Sequence, residues 1–115
     1  MEGLELTAFS IIASVGTARS CYIEAIRAAK EGQCDAVEEL IAKGDEAFVE
    51  GHGAHAELLR KECAGEGTQI TLLILHAEDQ LMSAEAFKTI ALEFIDTYRR
   101  IAALERGSRN ACGGA

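Results

Sequence analysis

The feature that most restricts the fold of this chain is the absence of proline from all 115 residues. Proline removes a backbone donor and breaks helix interiors, so its absence permits long uninterrupted helices. Alanine, leucine, isoleucine and glutamate are abundant, whereas aromatic residues make up only 5% of the chain. Because 49% of the residues are hydrophobic, a core can form. The composition therefore predicts an all-α domain of helices packed on helices.

Apolar residues recur at helical spacing in three segments. Gly32 and the loop 65–68 separate these segments. Short connections predict an antiparallel up-down-up three-helix bundle, with the domain over residues 1–105 and a flexible tail over 106–115. The predicted helices cover residues 4–31, 35–64 and 69–104.

Local signals refine these helices. Asp35 with Glu38 is typical of a capping box, and Thr68 is the expected N-cap of the third helix. Gly44 and Gly51 lie on the apolar stripe of the second helix. They weaken that helix by about 1 kcal/mol each relative to alanine, or else allow close helix packing.

The third segment contains an apolar run that ends in His76 and Asp79. Its apolar residues surround the helix, which is typical of a buried helix and predicts self-association. Residues three apart share a helix face, so His76 and Asp79 lie together. Among these apolar residues we expect Asp79 to be desolvated, and therefore paired or metal-bound. A neutral imidazole there can act as a nucleophile, a metal ligand or an ordinary core histidine.

Composition restricts the partners and the compartment. The net charge of −8 argues against nucleic acid or anionic lipid as the main partner. The four cysteines match no zinc module, which favours reduced thiols in a cytoplasmic protein. No signal peptide or membrane-spanning run is apparent, so we expect no membrane insertion.

The stretch His-Ala-Glu-Asp-Gln-Leu-Met-Ser-Ala over residues 76–84, with Phe87, Ile90, Phe94 and the ending Tyr98-Arg99-Arg100, resembles the lactose/cellobiose-type IIA component of the bacterial sugar phosphotransferase system. The resemblance covers about residues 4–104. The family pattern is close to His-(Ala/Gly)-Gln-Asp-His-Leu-Met-Thr. Glu78 stands where glutamine is common, and Gln80 stands where a second histidine is common.

The resemblance implies a phosphocarrier, a phosphotransferase component with a covalent phosphohistidine intermediate. His76 would accept a phosphoryl group from HPr and pass it to a cysteine of a IIB component, which is coupled to the membrane IIC component during uptake of lactose-, cellobiose- or chitobiose-type sugars. It also implies a homotrimer, a nine-helix bundle in which one Asp79 per subunit meets Mg²⁺ or a similar divalent cation on the three-fold axis. His52, His55 and Gln80 would have supporting roles.

The sequence leaves two other interpretations open. One is a noncatalytic helical adaptor in which His76 and Asp79 are buried structural groups. The other is a metal-binding helical bundle that uses His52, His55, His76 and Asp79. Arg19 occupies a place where the family tends to have Ala-Arg, and we interpret it as an ordinary ion-pair partner rather than a phosphate contact.

Overall fold

The computed structural model describes residues 3–113 as three helices with no strand in that range. The helices are α1 (Gly3–Lys30), α2 (Cys34–Cys63) and α3 (Leu72–Gly113). The all-α prediction is confirmed, and the first two helices lie within one residue of their predicted bounds.

Helix α1 is the centre of the bundle, because it packs against both other helices while α2 and α3 scarcely touch. Its N-terminal half lies against the start of α3, and its C-terminal half lies against Ile95, so α1 and α3 run parallel. Val37 near the start of α2 packs on the end of α1, which makes α2 antiparallel. The predicted up-down-up order is therefore confirmed. The buried core on α1 consists of Ala8, Ile11, Val15, Ala18, Cys21, Tyr22, Ala25 and Ala28.

The close approach of α1 and α2 depends on two buried glycines. A Cβ atom on Gly44 would lie 2.7 Å from Cε1 of Tyr22, and one on Gly51 would lie 2.7 Å from Cγ1 of Val15. Both distances are shorter than van der Waals contact. The prediction that small residues at these two positions allow tight packing is confirmed.

The helix ends differ in part from the sequence-based prediction. Gly32 has φ +76° and ends α1 as expected, since glycine adopts this conformation without strain. Helix α2 begins at Cys34 after Gln33, which makes no side-chain cap, so the predicted capping box at Asp35 is wrong. Thr71, and not Thr68, caps α3: its Oγ1 accepts a hydrogen bond of 3.2 Å from the backbone N–H of Ile74.

Helix α3 continues past its predicted end to Gly113. The predicted flexible tail is therefore wrong for residues 106–113, and residues 114–115 lie outside the described range. The extension contains Glu105, Arg106 and Arg109, which have high helix propensity, and it continues the helix through Gly107. Residues 103–108 are exposed, so packing within this chain does not hold them.

Among the described residues, α1 is long and apolar enough to cross a membrane by length and composition. Of the qualifying window, 33% is buried inside the bundle. A core helix of a soluble protein passes the same test, so this feature is weak evidence for a membrane span.

A polar contact joins all three helices. The hydroxyl of buried Tyr22 donates a hydrogen bond of 2.7 Å to Oδ1 of Asp45, and Nζ of Lys88 lies 2.9 Å from the same oxygen. Burial and the neighbouring Asp45 carboxylate raise the pKa of Tyr22 well above its usual range. Because α2 and α3 share few other contacts, the direct contact of Asp45 with Lys88 helps to hold these two helices together.

The raised pKa of Tyr22 predicts a loss of stability in alkali. The unfolded phenol ionises near pH 10, so the unfolded state releases its proton first and stability falls as the pH rises above that value. We expect Tyr22→Phe to lower the free energy of unfolding by about 1–2 kcal/mol at pH 8 and to make its decline between pH 9 and 11 less steep.

Urea unfolding across this pH range measures both effects. Tyr98→Phe is the matched control, because the Tyr98 ring stacks on Phe94 and belongs to no such network. It should keep the wild-type decline. An equal decline in wild type and Tyr22→Phe would contradict the linkage.

Candidate functional site

One face of α3 remains uncovered in the single chain. Exposed residues follow each other at intervals of three or four along the helix, and their large apolar members are between 42% (Ile101) and 83% (Leu72) exposed. We call this surface the α3 stripe. It consists of Leu72, Leu75, Asp79, Met82, Ala86, Ile90, Phe94, Thr97, Ile101 and Leu104.

Asp79 is the only charged residue of the α3 stripe. Its side chain is exposed in the single chain, so the expectation that Asp79 is desolvated is wrong for one chain alone. A continuous exposed apolar surface of this kind is typical of an interaction site. Desolvation of Asp79 would therefore require a partner that covers the α3 stripe.

His76 is also exposed, and it lies at the edge of the α3 stripe that is nearer to α1. Gln80 lies one turn after His76 on the same side of α3, and it contacts Arg19 of α1. This side of α3 therefore faces α1. The exposed imidazole is accessible to an incoming group. The adaptor interpretation required His76 and Asp79 to be buried structural groups, and the single chain does not bury them.

His55 lies on the other side of α3. Its Nδ1 contacts Oε2 of Glu78. Glu78 follows His76 by two residues and is therefore about 200° away around the helix. The structure brings His55 to Glu78 and not to His76 of the same chain.

His52 is exposed on α2, with its ring centroid 5.9 Å from that of Phe48 and 6.0 Å from that of His55. His52 thus lies near His55, which contacts Glu78 on the far side of α3 from His76.

Gln80 has a partner that the sequence did not indicate. Nη1 of Arg19 donates a hydrogen bond of 2.8 Å to Oε1 of Gln80, in a part-buried position between α1 and α3. Within the described range no carboxylate pairs with Arg19, so its interpretation as an ordinary ion-pair partner is wrong. Arg19 follows Val15 by four residues, next to core positions of α1, and this placement is the signal that could have drawn attention to it.

The four candidate metal ligands do not come together in one chain. Residues 3–113 contain no group of three or more His, Cys, Asp or Glu side chains that could hold a metal ion. His55 is engaged with Glu78, whereas Asp79 lies on the α3 stripe. A metal-binding bundle built from His52, His55, His76 and Asp79 of a single chain therefore has no support.

Comparison with known proteins identifies the family. The sequence model of the lactose/cellobiose-specific IIA subunit of the sugar phosphotransferase system matches residues 6–99. The chain belongs to the lactose/cellobiose-specific IIA family. The predicted family is thus confirmed.

The matches with curated relatives extend over most of both proteins. The oligo-beta-mannoside-specific EIIA component of Bacillus subtilis is 40% identical over 95 residues, which cover 83% of this chain and 86% of the relative. The lactose-specific EIIA component of Streptococcus mutans is 36% identical over 99 residues, which cover 86% of this chain and 95% of the relative.

A solved structure agrees with this assignment. The crystal structure of the cellobiose-specific enzyme IIA from Bacillus anthracis superposes with a TM-score of 0.87 at 40% identity, covering 90% of this chain and 94% of that one. The two positions at which this IIA component departs from the motif both have partners in its structure: Glu78 contacts His55, and Gln80 contacts Arg19.

Proposed function

We propose that this IIA component is a cytoplasmic phosphocarrier that accepts a phosphoryl group from phospho-HPr on His76 and passes it to a cysteine of a IIB component. The observation that carries the proposal is the exposed imidazole of His76 at the edge of the α3 stripe, within the motif that identifies the family. The IIB component would in turn serve a membrane IIC component for sugars of the lactose, cellobiose or chitobiose type.

The transfer chemistry balances with these groups alone. A ring nitrogen of His76 in its neutral form attacks phosphorus, the phosphorus–nitrogen bond to the donor histidine of HPr breaks, and its electron pair returns to the donor ring. In the second step the thiolate of the IIB cysteine attacks phosphorus, and the electron pair of the His76–phosphorus bond returns to the imidazole. The protein mainly has to position the ring and offset the phosphoryl charge.

The α3 stripe supports assembly into a trimer. Burying its apolar residues removes a large apolar area from water, at about 25 cal/mol per Å². Asp79 then comes close to its symmetry equivalents, which repel each other unless a cation or protons neutralise them. Carboxylate oxygens fit a hard divalent cation such as Mg²⁺. One Asp79 per subunit would hold this ion, which supplies positive charge to a subunit interface.

Asp79→Asn tests the metal and the assembly together. We expect the wild-type trimer to lose about 5 °C or more of its Tm when EDTA replaces Mg²⁺, because the carboxylates are then unscreened. Asp79→Asn should have the same Tm in both buffers. Light scattering and thermal unfolding at one fixed protein concentration measure the two properties.

Asp96→Asn is the control, since it removes a carboxylate of α3 that pairs with Arg100 within the chain. It should retain the wild-type response to EDTA. The metal-bridged trimer would be refuted if the wild-type protein were monomeric, or if its Tm were the same in Mg²⁺ and in EDTA.

Phosphoryl transfer itself is tested by incubation with phosphoenolpyruvate, enzyme I and HPr, followed by mass mapping. We expect one acid-labile phosphoryl group per chain, on His76. Delivery of that group to a IIB component completes the test. A chain that remains unmodified under these conditions would exclude the phosphocarrier function.

A further inference from the structure

We propose that Arg19 binds the phosphoryl group on His76 and that Gln80 holds the Arg19 guanidinium in position. The inference rests on the proposed function of His76 as phosphoacceptor. It adds a phosphoryl-binding residue from α1 to a site otherwise described on α3.

Arg19 reaches α3 one helical turn after His76. Arg19 donates from Nη1 to Oε1 of Gln80 at 2.8 Å, and Gln80 lies one helical turn after His76 on the same side of α3. Long side chains on a helix point back toward its N-terminus. Because α1 and α3 run parallel, the Arg19 side chain extends from α1 toward the turn of α3 that carries His76.

Arg19 can donate several hydrogen bonds besides the one to Gln80. A guanidinium has five N–H donors, and Arg19 gives one of them to Gln80. Its side chain is part-buried, and among the described residues it has no carboxylate partner. A partly desolvated cation without a counter-ion is unfavourable. A phosphoryl group on His76 would supply the missing negative charge, and the planar guanidinium matches phosphate oxygens in pairs.

The sequence around His76 is negatively charged. The chain has a net charge of −8, and Glu78 and Asp79 follow His76 closely. An incoming phosphoryl group therefore meets a negative surface, which opposes its arrival. The charge of Glu78 is directed at His55 on the far side of α3. Arg19 places a positive charge beside Gln80, on the side of α3 that carries His76. A fixed positive charge at the reacting group lowers the barrier to transfer.

Gln80 suits this positioning role because an amide oxygen accepts a hydrogen bond at any pH. A histidine at the same place accepts from a guanidinium only in its neutral form. Glutamine therefore keeps Arg19 oriented even in an acidified cytoplasm. The departure from the family motif at residue 80 thus leaves a working support for Arg19.

The experiment compares Arg19→Gln with Arg27→Gln, which removes an exposed cation from the same helix. Initial rates of transfer from phospho-HPr to the assembled protein are measured over a range of HPr concentrations. We expect Arg19→Gln to lower kcat by about 10- to 100-fold with little change in KM. Arg27→Gln should retain the wild-type kcat. Arg19→Lys should recover part of the loss, since it restores the charge without the planar fork.

The outcomes separate this inference from the proposed function. Absence of uptake by wild type would refute the phosphocarrier itself, and the role of Arg19 with it. Normal uptake by wild type with equal kcat values in Arg19→Gln and Arg27→Gln would overturn the role of Arg19 alone.

A change in KM only would also overturn the inference, because it would assign Arg19 to HPr docking. If circular dichroism shows that Arg19→Gln is unfolded, Gln80→Leu decides in its place. Loss of the support should then lower kcat by about three- to tenfold, and a wild-type kcat would refute the inference.

Discussion

Replacing His76 with glutamine is expected to abolish phosphoryl uptake. Glutamine has nearly the same reach and can donate and accept hydrogen bonds, but its amide nitrogen has no lone pair available for attack on phosphorus. The expected result is a complete loss of the acid-labile phosphate and of transfer to a IIB component. Mass spectrometry of the protein after incubation with phosphoenolpyruvate, enzyme I and HPr measures it.

This loss should occur without loss of structure. The His76 side chain is exposed in the single chain, so circular dichroism and light scattering of His76→Gln should match wild type. His52→Gln and His55→Gln provide the comparison. Both should still reach one phosphoryl group per chain, even if a supporting role changes their rates. Undiminished phosphate in His76→Gln would place the acceptor elsewhere and refute the assignment.

Replacing Gly44 with alanine is expected to destabilise the bundle strongly. The added methyl group would lie 2.7 Å from Cε1 of Tyr22 and 3.1 Å from Cβ of Cys21. The Tyr22 ring cannot move aside easily, because it is fully buried and its hydroxyl is bound to Asp45. Overpacking costs about 1–3 kcal/mol, and we expect this cost to exceed the gain in helix propensity. The Tm should fall by about 5–10 °C.

Gly53→Ala is the matched control in the same helix. No atom lies within 4 Å of a Cβ atom built on Gly53, so the methyl group enters open space. The expected result has the opposite sign, a gain of about 0.5–1 kcal/mol from helix propensity. Thermal unfolding at one protein concentration compares the two, since self-association makes Tm depend on concentration. Equal shifts in both variants would show that α1 and α2 do not pack as described.

Much of the candidate site could be predicted from the sequence because it lies within one helix. The spacing of His76, Asp79 and Gln80 fixes their relation around α3, and the motif that they form identifies the family. The exposed state of Asp79 in one chain could not be predicted in this way. Apolar residues nearly surround the helix, and their pattern does not say which of them face the same chain and which remain for a partner.

The partners of Glu78 and Gln80 show the limit of reading a motif alone. Both residues depart from the family pattern, yet nothing near them in the sequence indicates a contact with His55 or Arg19. Arg19 and Gln80 are 61 residues apart and meet only because α1 and α3 run parallel at the observed offset. The cap at Thr71 instead of Thr68 is a smaller case, because several residues of one loop can serve as an N-cap and tertiary packing selects among them.

By itself the sequence determined three long helices, their antiparallel order and a histidine–aspartate pair on one face of α3, because proline-free helical periodicity and short connections leave few alternatives. Only the tertiary structure decided which face of α3 stays uncovered, and that Arg19 of α1 contacts Gln80 of α3. These contacts depend on the rotation and offset of each helix against its neighbours, and no single segment encodes them.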